Sequence, residues 1–366
     1  MEGFGWYTYE TVSRMVKNHP EHQFIFLFDR PFDQKFIFAS NVEAHVIGLP
    51  ARHPWLFYLW FEWSVTKALK KYKADIFLSP DGYLSLKSEV PTVAVMHDLN
   101  FEHHPEDLPK NILKYYKKYF PKFAQKASRI VTVSDFSKND IVKTYSISPD
   151  KIDVGYNGAN ENLIPLSSDK IADYRNKITK GLPYFIFIGA LTPRKNLARL
   201  FAAFDLYYEK SECKFPLVVV GEKYFWKKDI RDVYENMKHK DKVIFTGHLQ
   251  MNELHLALGS ALALTYVSYF EGFGIPLVEA MRCDIPILTS DKTSLPEVAG
   301  DAAYICDPFS IESIADGLIN LANNESLRKS LIEKGKIRRE NFSWNKTSET
   351  VWNAIIKVAN AKGKIT

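Results

Sequence analysis

Short apolar runs along the 366-residue chain are separated by longer stretches in which apolar residues recur at helical spacing. The runs at 23–28 and 45–48 read as strands. Those at 75–79 and 92–96 are apolar enough to be parallel strands covered on both faces. Another run at 129–134 reads as a strand, with Ser134 or Asp135 capping the helix that follows. Helical spacing covers 7–18, 54–71 and 109–129. Asn157-Gly158 is a turn signal, and the polar stretch 157–168 reads as a linker. Beyond it, strands at 184–188, 216–220, 242–245 and 261–265 alternate with helices, and from 311 the chain is helical. The whole is an α/β pattern, and the part after the linker is Rossmann-like. The length exceeds what one core usually supports, so we expect a first domain over 1–160 and a second over 161–342.

Two segments carry more aromatic side chains than a core needs. The first, 54–71, holds Trp55, Phe57, Tyr58, Trp60, Phe61 and Trp63. It reads either as a surface that docks on lipid or glycan, or as a helix packed into the first domain. Glu62 interrupts its apolar run, so it does not span a bilayer. The second, 109–129, interleaves lysines at 110, 114, 117, 118, 122 and 126 with Tyr115, Tyr116, Tyr119, Phe120 and Phe123. A basic aromatic helix suits anionic headgroups. An amphipathic helix with an apolar inner stripe explains the same residues.

Composition changes this picture little. The chain is 46% hydrophobic and 25% charged, which implies neither disorder nor a membrane protein. A net charge of +5 is compatible with anionic substrates or an anionic lipid surface and too weak to argue for nucleic acid. The cysteines, Cys213, Cys283 and Cys306, are scattered and odd in number, so they read as reduced core thiols of a cytosolic protein. No signal-peptide pattern and no repeat is apparent.

The chemistry concentrates in the second domain. After the strand at 261–265, Gly272 and Gly274 allow a tight turn, and Pro276 sits where the first turn of a helix tolerates proline. A strand, a glycine turn and a helix start place backbone N–H groups and a positive dipole end at one spot, which suits a phosphate. Glu271 and Glu279 flank that spot. Carboxylates accept hydrogen bonds from hydroxyls, and a phosphate beside several hydroxyls describes a sugar nucleotide. Arg194 and Lys195, at the end of the strand at 184–188, suit a diphosphate that gains charge as it departs. In the first domain His97-Asp98 follows a strand at the carboxyl edge, where open α/β sheets bind ligands.

Glu271-Gly-Phe-Gly…Glu279-Ala-Met, followed by Ser294-Leu-Pro-Glu, resembles the Glu-x7-Glu signature of retaining GT-B-fold glycosyltransferases. The likeness is to the bacterial group 1 (family 4) class, which includes many mannosyltransferases, and it runs from about 3 to about 352. It implies two Rossmann-like doubly wound domains facing a cleft, with 343–366 closing as a helix that crosses back to the first domain. It implies a nucleoside diphosphate sugar donor, GDP- or UDP-linked, best matched by GDP-mannose. The acceptor would be a glycan or lipid-linked saccharide, and the place of action the cytoplasm or the inner membrane face, with peripheral contact through the first domain.

By the same resemblance His97, Arg194, Lys195 and Glu271 are catalytic. His97 would touch the sugar, and Arg194 and Lys195 the leaving diphosphate. Glu271 would hold sugar hydroxyls and Glu279 the ribose. Gly3 and Gly5 would form a loop over the donor phosphates. Gly189, Gly272, Phe273, Gly274, Ile275 and Leu277 would line the donor site, and the backbone of Gly247, His248 and Leu249 would hold the base. No Asp-x-Asp triplet occurs, so neither metal nor cofactor is expected. In the family a strand precedes the Gly3–Gly5 loop. Here it is absent, which leaves a gap in the first sheet and points either to a missing upstream segment or to a damaged domain. The alternatives are a nucleotide-sugar-binding subunit without catalysis and a GT-B nucleotide-sugar epimerase.

Overall fold

A computed structural model of the chain describes residues 3–48, 50–222, 226, 228–361 and 363. It forms two compact units, Met1–Gly158 with Ser343–Thr366, and Ala159–Phe342.

The second unit is built on one parallel sheet of six strands. They are β7 (Phe185–Ile188), β8 (Leu217–Val220), β9 (Val243–Gly247), β10 (Ala263–Tyr266), β11 (Ile287–Ser290) and β12 (Tyr304–Cys306), after six strands in the first unit. Their spatial order is β9-β8-β7-β10-β11-β12. The chain winds outward from β7 in one direction, returns, and winds outward from β10 in the other, so the order reverses between β7 and β10. Phe185, Phe187, Leu217 and Val219 are fully buried against Leu200, Phe201 and Phe204 of helix Leu197–Lys210. Each such side chain contributes about 1.5–3 kcal/mol by leaving water.

The first unit contains β1 (Phe24–Phe28), β2 (Val42–Val46), β3 (Phe77–Ser79), β4 (Thr92–Val95), β5 (Arg129–Thr132) and β6 (Ile152–Val154), all paired in parallel. They form two separate sheets among the described residues, β1-β2 and β3-β4-β5-β6. All five residues of β1 are apolar, yet none is fully buried, whereas β4 is buried throughout. Leu27 of β1 and Phe77 of β3 both pack on Phe61, Val65 and Leu69.

Helix Trp344–Asn360 belongs to this unit, lying along helix Gly3–Asn18. Ser348 Oγ donates to the Thr11 carbonyl (2.9 Å), and Thr347 Oγ1 donates to the Tyr156 carbonyl (2.6 Å).

Several sequence expectations shift. The first helix begins at Gly3, so Gly3 and Gly5 lie in its opening turn and form no separate loop. The strand expected at 45–48 is Val42–Val46. Cys213 is exposed and only Cys283 and Cys306 lie in the core, where burial pushes both thiols up to about 12. No described helix is long and apolar enough to cross a membrane.

Candidate active site

The reversal between β7 and β10 brings two loops together in the second unit. The loop after β7 runs through a 3₁₀ turn, Pro193–Lys195, and the helix starts at Leu197. Asn196 separates the two. It adopts a left-handed conformation (φ 63°), and its Nδ2 donates to the carbonyls of Val267 (3.0 Å) and Pro308 (2.7 Å). Asparagine tolerates that conformation better than most residues. The loop after β10 is tied to the first by the Tyr269 N–H, which donates to the Arg194 carbonyl (3.0 Å).

At this junction the charges converge on Glu271. Arg194 Nη1 donates to Glu271 Oε2 (2.9 Å), and Lys195 Nζ donates to Oε1 (2.6 Å). Tyr266 OH also donates to Oε1 (3.0 Å) and touches Lys195 Nζ. Glu271 is only 5% exposed and Lys195 only 9%. Burial pushes the Glu271 carboxyl up, but Arg194 and Lys195 more than reverse that and hold it at about 2. Burial, then the Glu271 charge, raises the Tyr266 hydroxyl well above its ordinary value, so it stays protonated and donates. Arg194 and Lys195 thus share the Glu271 carboxylate, and because Lys195 and Glu271 are buried their charges are screened little.

The Ser294-Leu-Pro-Glu segment holds the glutamate loop in place. Ser294 Oγ donates to the carbonyls of Glu271 (2.9 Å) and Phe273 (3.1 Å), and the Glu271 N–H donates to Thr293 Oγ1 (3.1 Å). Gly274 precedes helix Ile275–Arg282 at φ 102°, and a Cβ there would lie 2.7 Å from Leu295 Cδ2. Glycine is required on both counts.

The other expected residues fall on the helix start, the neighbouring strand ends and the first unit. Phe273 is buried against Phe342 (5.6 Å between rings), and the Leu277 side chain is fully buried. The Leu277 N–H donates to the Gly274 carbonyl (3.0 Å), so it is already used within the turn. Gly272 lies in the loop ahead of Gly274, and Ile275 is half-buried at the helix start. Glu279 sits inside the helix, and burial pushes its carboxyl up to about 7. Gly189 follows β7, its N–H donating to the Val220 carbonyl (3.0 Å). Gly247 ends β9 at φ 70°. The His248 N–H donates to Glu222 Oε1 (3.3 Å), and Leu249 follows in the same turn.

His97 lies in the first unit, just past β4. Its ring meets Phe4 and Tyr7 of the first helix at 4.7 and 4.6 Å between centroids. Its Nε2 is 3.0 Å from the Pro80 carbonyl. A carbonyl only accepts, so Nε2 carries the proton and Nδ1 is the free acceptor. Burial holds the imidazole below its ordinary value, which favours this neutral form. Gly3 and Gly5 open the helix that carries Phe4 and Tyr7, so their sequence neighbours pack on His97.

Sequence reasoning missed Tyr266. An aromatic residue with a hydroxyl as the last residue of a buried strand, five positions before Glu271, is the signal that could have found it.

The family model described as Glycosyl transferases group 1 matches residues 170–338, and that of Glycosyltransferase Family 4 matches residues 1–163. The chain is a group 1 glycosyltransferase. It is similar to the O-antigen chain mannosyltransferase B of Escherichia coli, at 29% identity over 313 residues, 85% of this chain and 78% of that one. It is also similar to the O-antigen chain mannosyltransferase RfbU of Salmonella typhimurium, at 27% identity, covering 77% of this chain and 75% of that one. A solved glycosyltransferase from Rickettsia africae shares its fold, with a TM-score of 0.73 at 17% identity over 95% of this chain and 94% of that one. The glycosyltransferase thus has the GT-B fold, and its two units are Rossmann-like domains.

Proposed function

We propose that this glycosyltransferase moves a mannosyl residue from GDP-mannose to a hydroxyl of a glycan or lipid-linked saccharide during surface polysaccharide synthesis, with retention at the anomeric carbon. The observation that carries the reading is the Arg194–Lys195–Glu271–Tyr266 cluster at the strand-order reversal, buried except for Arg194. A ligand with a diphosphate next to sugar hydroxyls meets both needs of that cluster. The phosphates meet Arg194 and Lys195, and Glu271 accepts from hydroxyls. The names of the O-antigen relatives support mannose and a polysaccharide acceptor.

In this reading the bond between the anomeric carbon and the diphosphate oxygen breaks while Arg194 and Lys195 stabilise the charge gathering on the phosphate. The acceptor oxygen attacks the same face and passes its proton to the departing diphosphate. Fixed cations do here what a metal ion does in other transferases. Glu279 accepts from the ribose hydroxyls. The enzyme works in the cytoplasm or at the inner membrane face, where a lipid-linked acceptor is presented.

The test is incubation with GDP-mannose, UDP-glucose or UDP-N-acetylglucosamine and a saccharide acceptor, with and without EDTA, followed by NMR of the product. An α-mannoside formed from GDP-mannose in EDTA supports the proposal. A β-linked product, or turnover only with a UDP-sugar, overturns it.

A further inference from the structure

Three side chains from three parts of the second unit meet beside the charged cluster. Phe309 follows β12, Tyr269 lies in the loop after β10, and Arg199 is in the first turn of helix Leu197–Lys210. The Phe309 and Tyr269 rings are 6.0 Å apart between centroids and close to parallel (23°). Near-parallel rings at that separation are offset, so neither hides the other. The Arg199 guanidinium lies 5.1 Å from the Phe309 centroid. Even so, Phe309 remains 49% exposed.

The exposed ring is fixed by the same frame as the charged cluster. Buried Asn196 donates to the Pro308 carbonyl (2.7 Å) and accepts at Oδ1 from Arg199 Nη1 (3.0 Å). The Phe309 N–H donates to Asp307 Oδ1 (3.0 Å), and the Tyr269 N–H is bonded to the Arg194 carbonyl. Holding an apolar ring half in water returns nothing to folding, because burial is what makes such a ring stabilising. The polar fringe of the ring is balanced in charge. Lys292 Nζ lies 3.0 Å from Asp291 and 3.8 Å from Asp307, so with Arg199 two cations stand with two carboxylates.

We infer that Phe309, Tyr269 and Arg199 form a subsite of the second unit for the saccharide acceptor, with a sugar ring lying on the aromatic pair and its hydroxyls reaching Arg199 and Asp307. The inference rests on the reading that the acceptor is a glycan and does not depend on the identity of the donor. A sugar ring has a face of C–H bonds, which packs on the electron-rich face of an aromatic ring. Its rim of hydroxyls both donates and accepts, and cations beside carboxylates answer both roles. An anionic ligand would meet Asp291 and Asp307 as well as the cations. A protein partner needs about 800 Å² on each side. A half-exposed phenyl ring with one neighbour supplies on the order of 100 Å² of apolar surface, enough for one or two sugar rings.

The test is saturation-transfer NMR of the full chain, without nucleotide, with mannotriose, maltotriose and chitotriose. The wild type is expected to bind at least one of them at millimolar concentration. Phe309→Ala should weaken that binding on the order of tenfold, and Phe309→Trp should keep it. In transfer to a saccharide acceptor, Phe309→Ala should raise the acceptor KM by about the same factor and leave kcat and the donor KM unchanged. The GDP-induced thermal shift should be equal in all three proteins, which shows that they fold. Saccharide binding through Phe309 without any GDP shift would support the subsite and count against the donor reading alone. No binding of any of the three saccharides, or equal binding by Phe309→Ala, would overturn the inference. So would a raised donor KM with an unchanged acceptor KM in Phe309→Ala, since the ring would then serve the donor. A wild-type dimer in sedimentation that Phe309→Ala dissolves would overturn it too, because the ring would then be part of a self-interface.

Discussion

The two units share a parallel strand–helix architecture and use it differently. In the second, a single six-stranded sheet with one reversal of order holds a buried charged cluster, and the unit's charges balance. In the first, the strands form two sheets, aromatic side chains do much of the packing, and the unit carries the whole net charge of +5. Such a division of labour suits a transferase. Binding of a small, highly charged donor needs rigid, preorganised groups, which loops anchored on one continuous sheet supply. Meeting a large acceptor or a surface needs area and charge at the exterior.

The comparison breaks most visibly if the buried cluster is removed. Lys195→Ala is expected to lower turnover about 10²–10³-fold, as loss of a charge-stabilising donor usually does, measured as transfer per enzyme at saturating donor. Glu271→Ala leaves Lys195 and Arg194 without their shared carboxylate and should cost about 3–5 kcal/mol in urea unfolding. The same pairing gives an acid limit. Glu271 is held at about 2, below its ordinary 4.5, so its contribution is present above 4.5 and is lost as pH falls from there toward 2.

Glu279 sharpens the contrast within the donor site because its shift has the opposite sign. Burial raises it to about 7, so the folded state binds this proton more tightly than the unfolded chain does. Stability therefore falls as pH rises from about 4.5 through 7, and Glu279→Gln should flatten that slope. If Glu279 accepts from the ribose as proposed, only its ionised form does so fully, and GDP-mannose affinity should rise by up to about tenfold from pH 6 to 8 in the wild type and stay level in Glu279→Gln. Calorimetry with the nucleotide sugar is the suitable measurement, because its phosphates do not titrate in that range.

Smaller effects test the supports. Tyr266→Phe removes one donor to Glu271 and should cost about 1–3 kcal/mol of stability. Trp55→Ser and Trp63→Ser, both exposed in the first unit, should change stability by no more than about 0.5 kcal/mol.

Much of this was legible in the sequence because it is local. The buried strands, the glycine turn at Gly274, Pro276 in the first helical turn and the charged pair after β7 follow from neighbouring residues. What escaped depends on distant partners or on elements too short to show a period. β6 and β12 span three residues each, and β11 ends in Thr289 and Ser290, so none reads as an apolar run. The start of helix Leu197–Lys210 depends on carbonyls that Asn196 finds at Val267 and Pro308. The first helix begins at Gly3 despite glycine's low helix propensity, because Phe4 and Tyr7 pack on His97. Which residues of 54–71 pack inward and which are exposed depends on the bonds from the Leu86 and Lys87 backbone to Glu62, far along the chain.

The most direct test of the donor site is titration of GDP into the wild type and Lys195→Ala in EDTA, followed by melting temperature. The account predicts a GDP-dependent rise in the wild type that persists in EDTA and is lost in Lys195→Ala. An equal rise in both proteins, or a rise that requires Mg²⁺, would contradict it, since the diphosphate would then be held by something other than the cluster around Glu271.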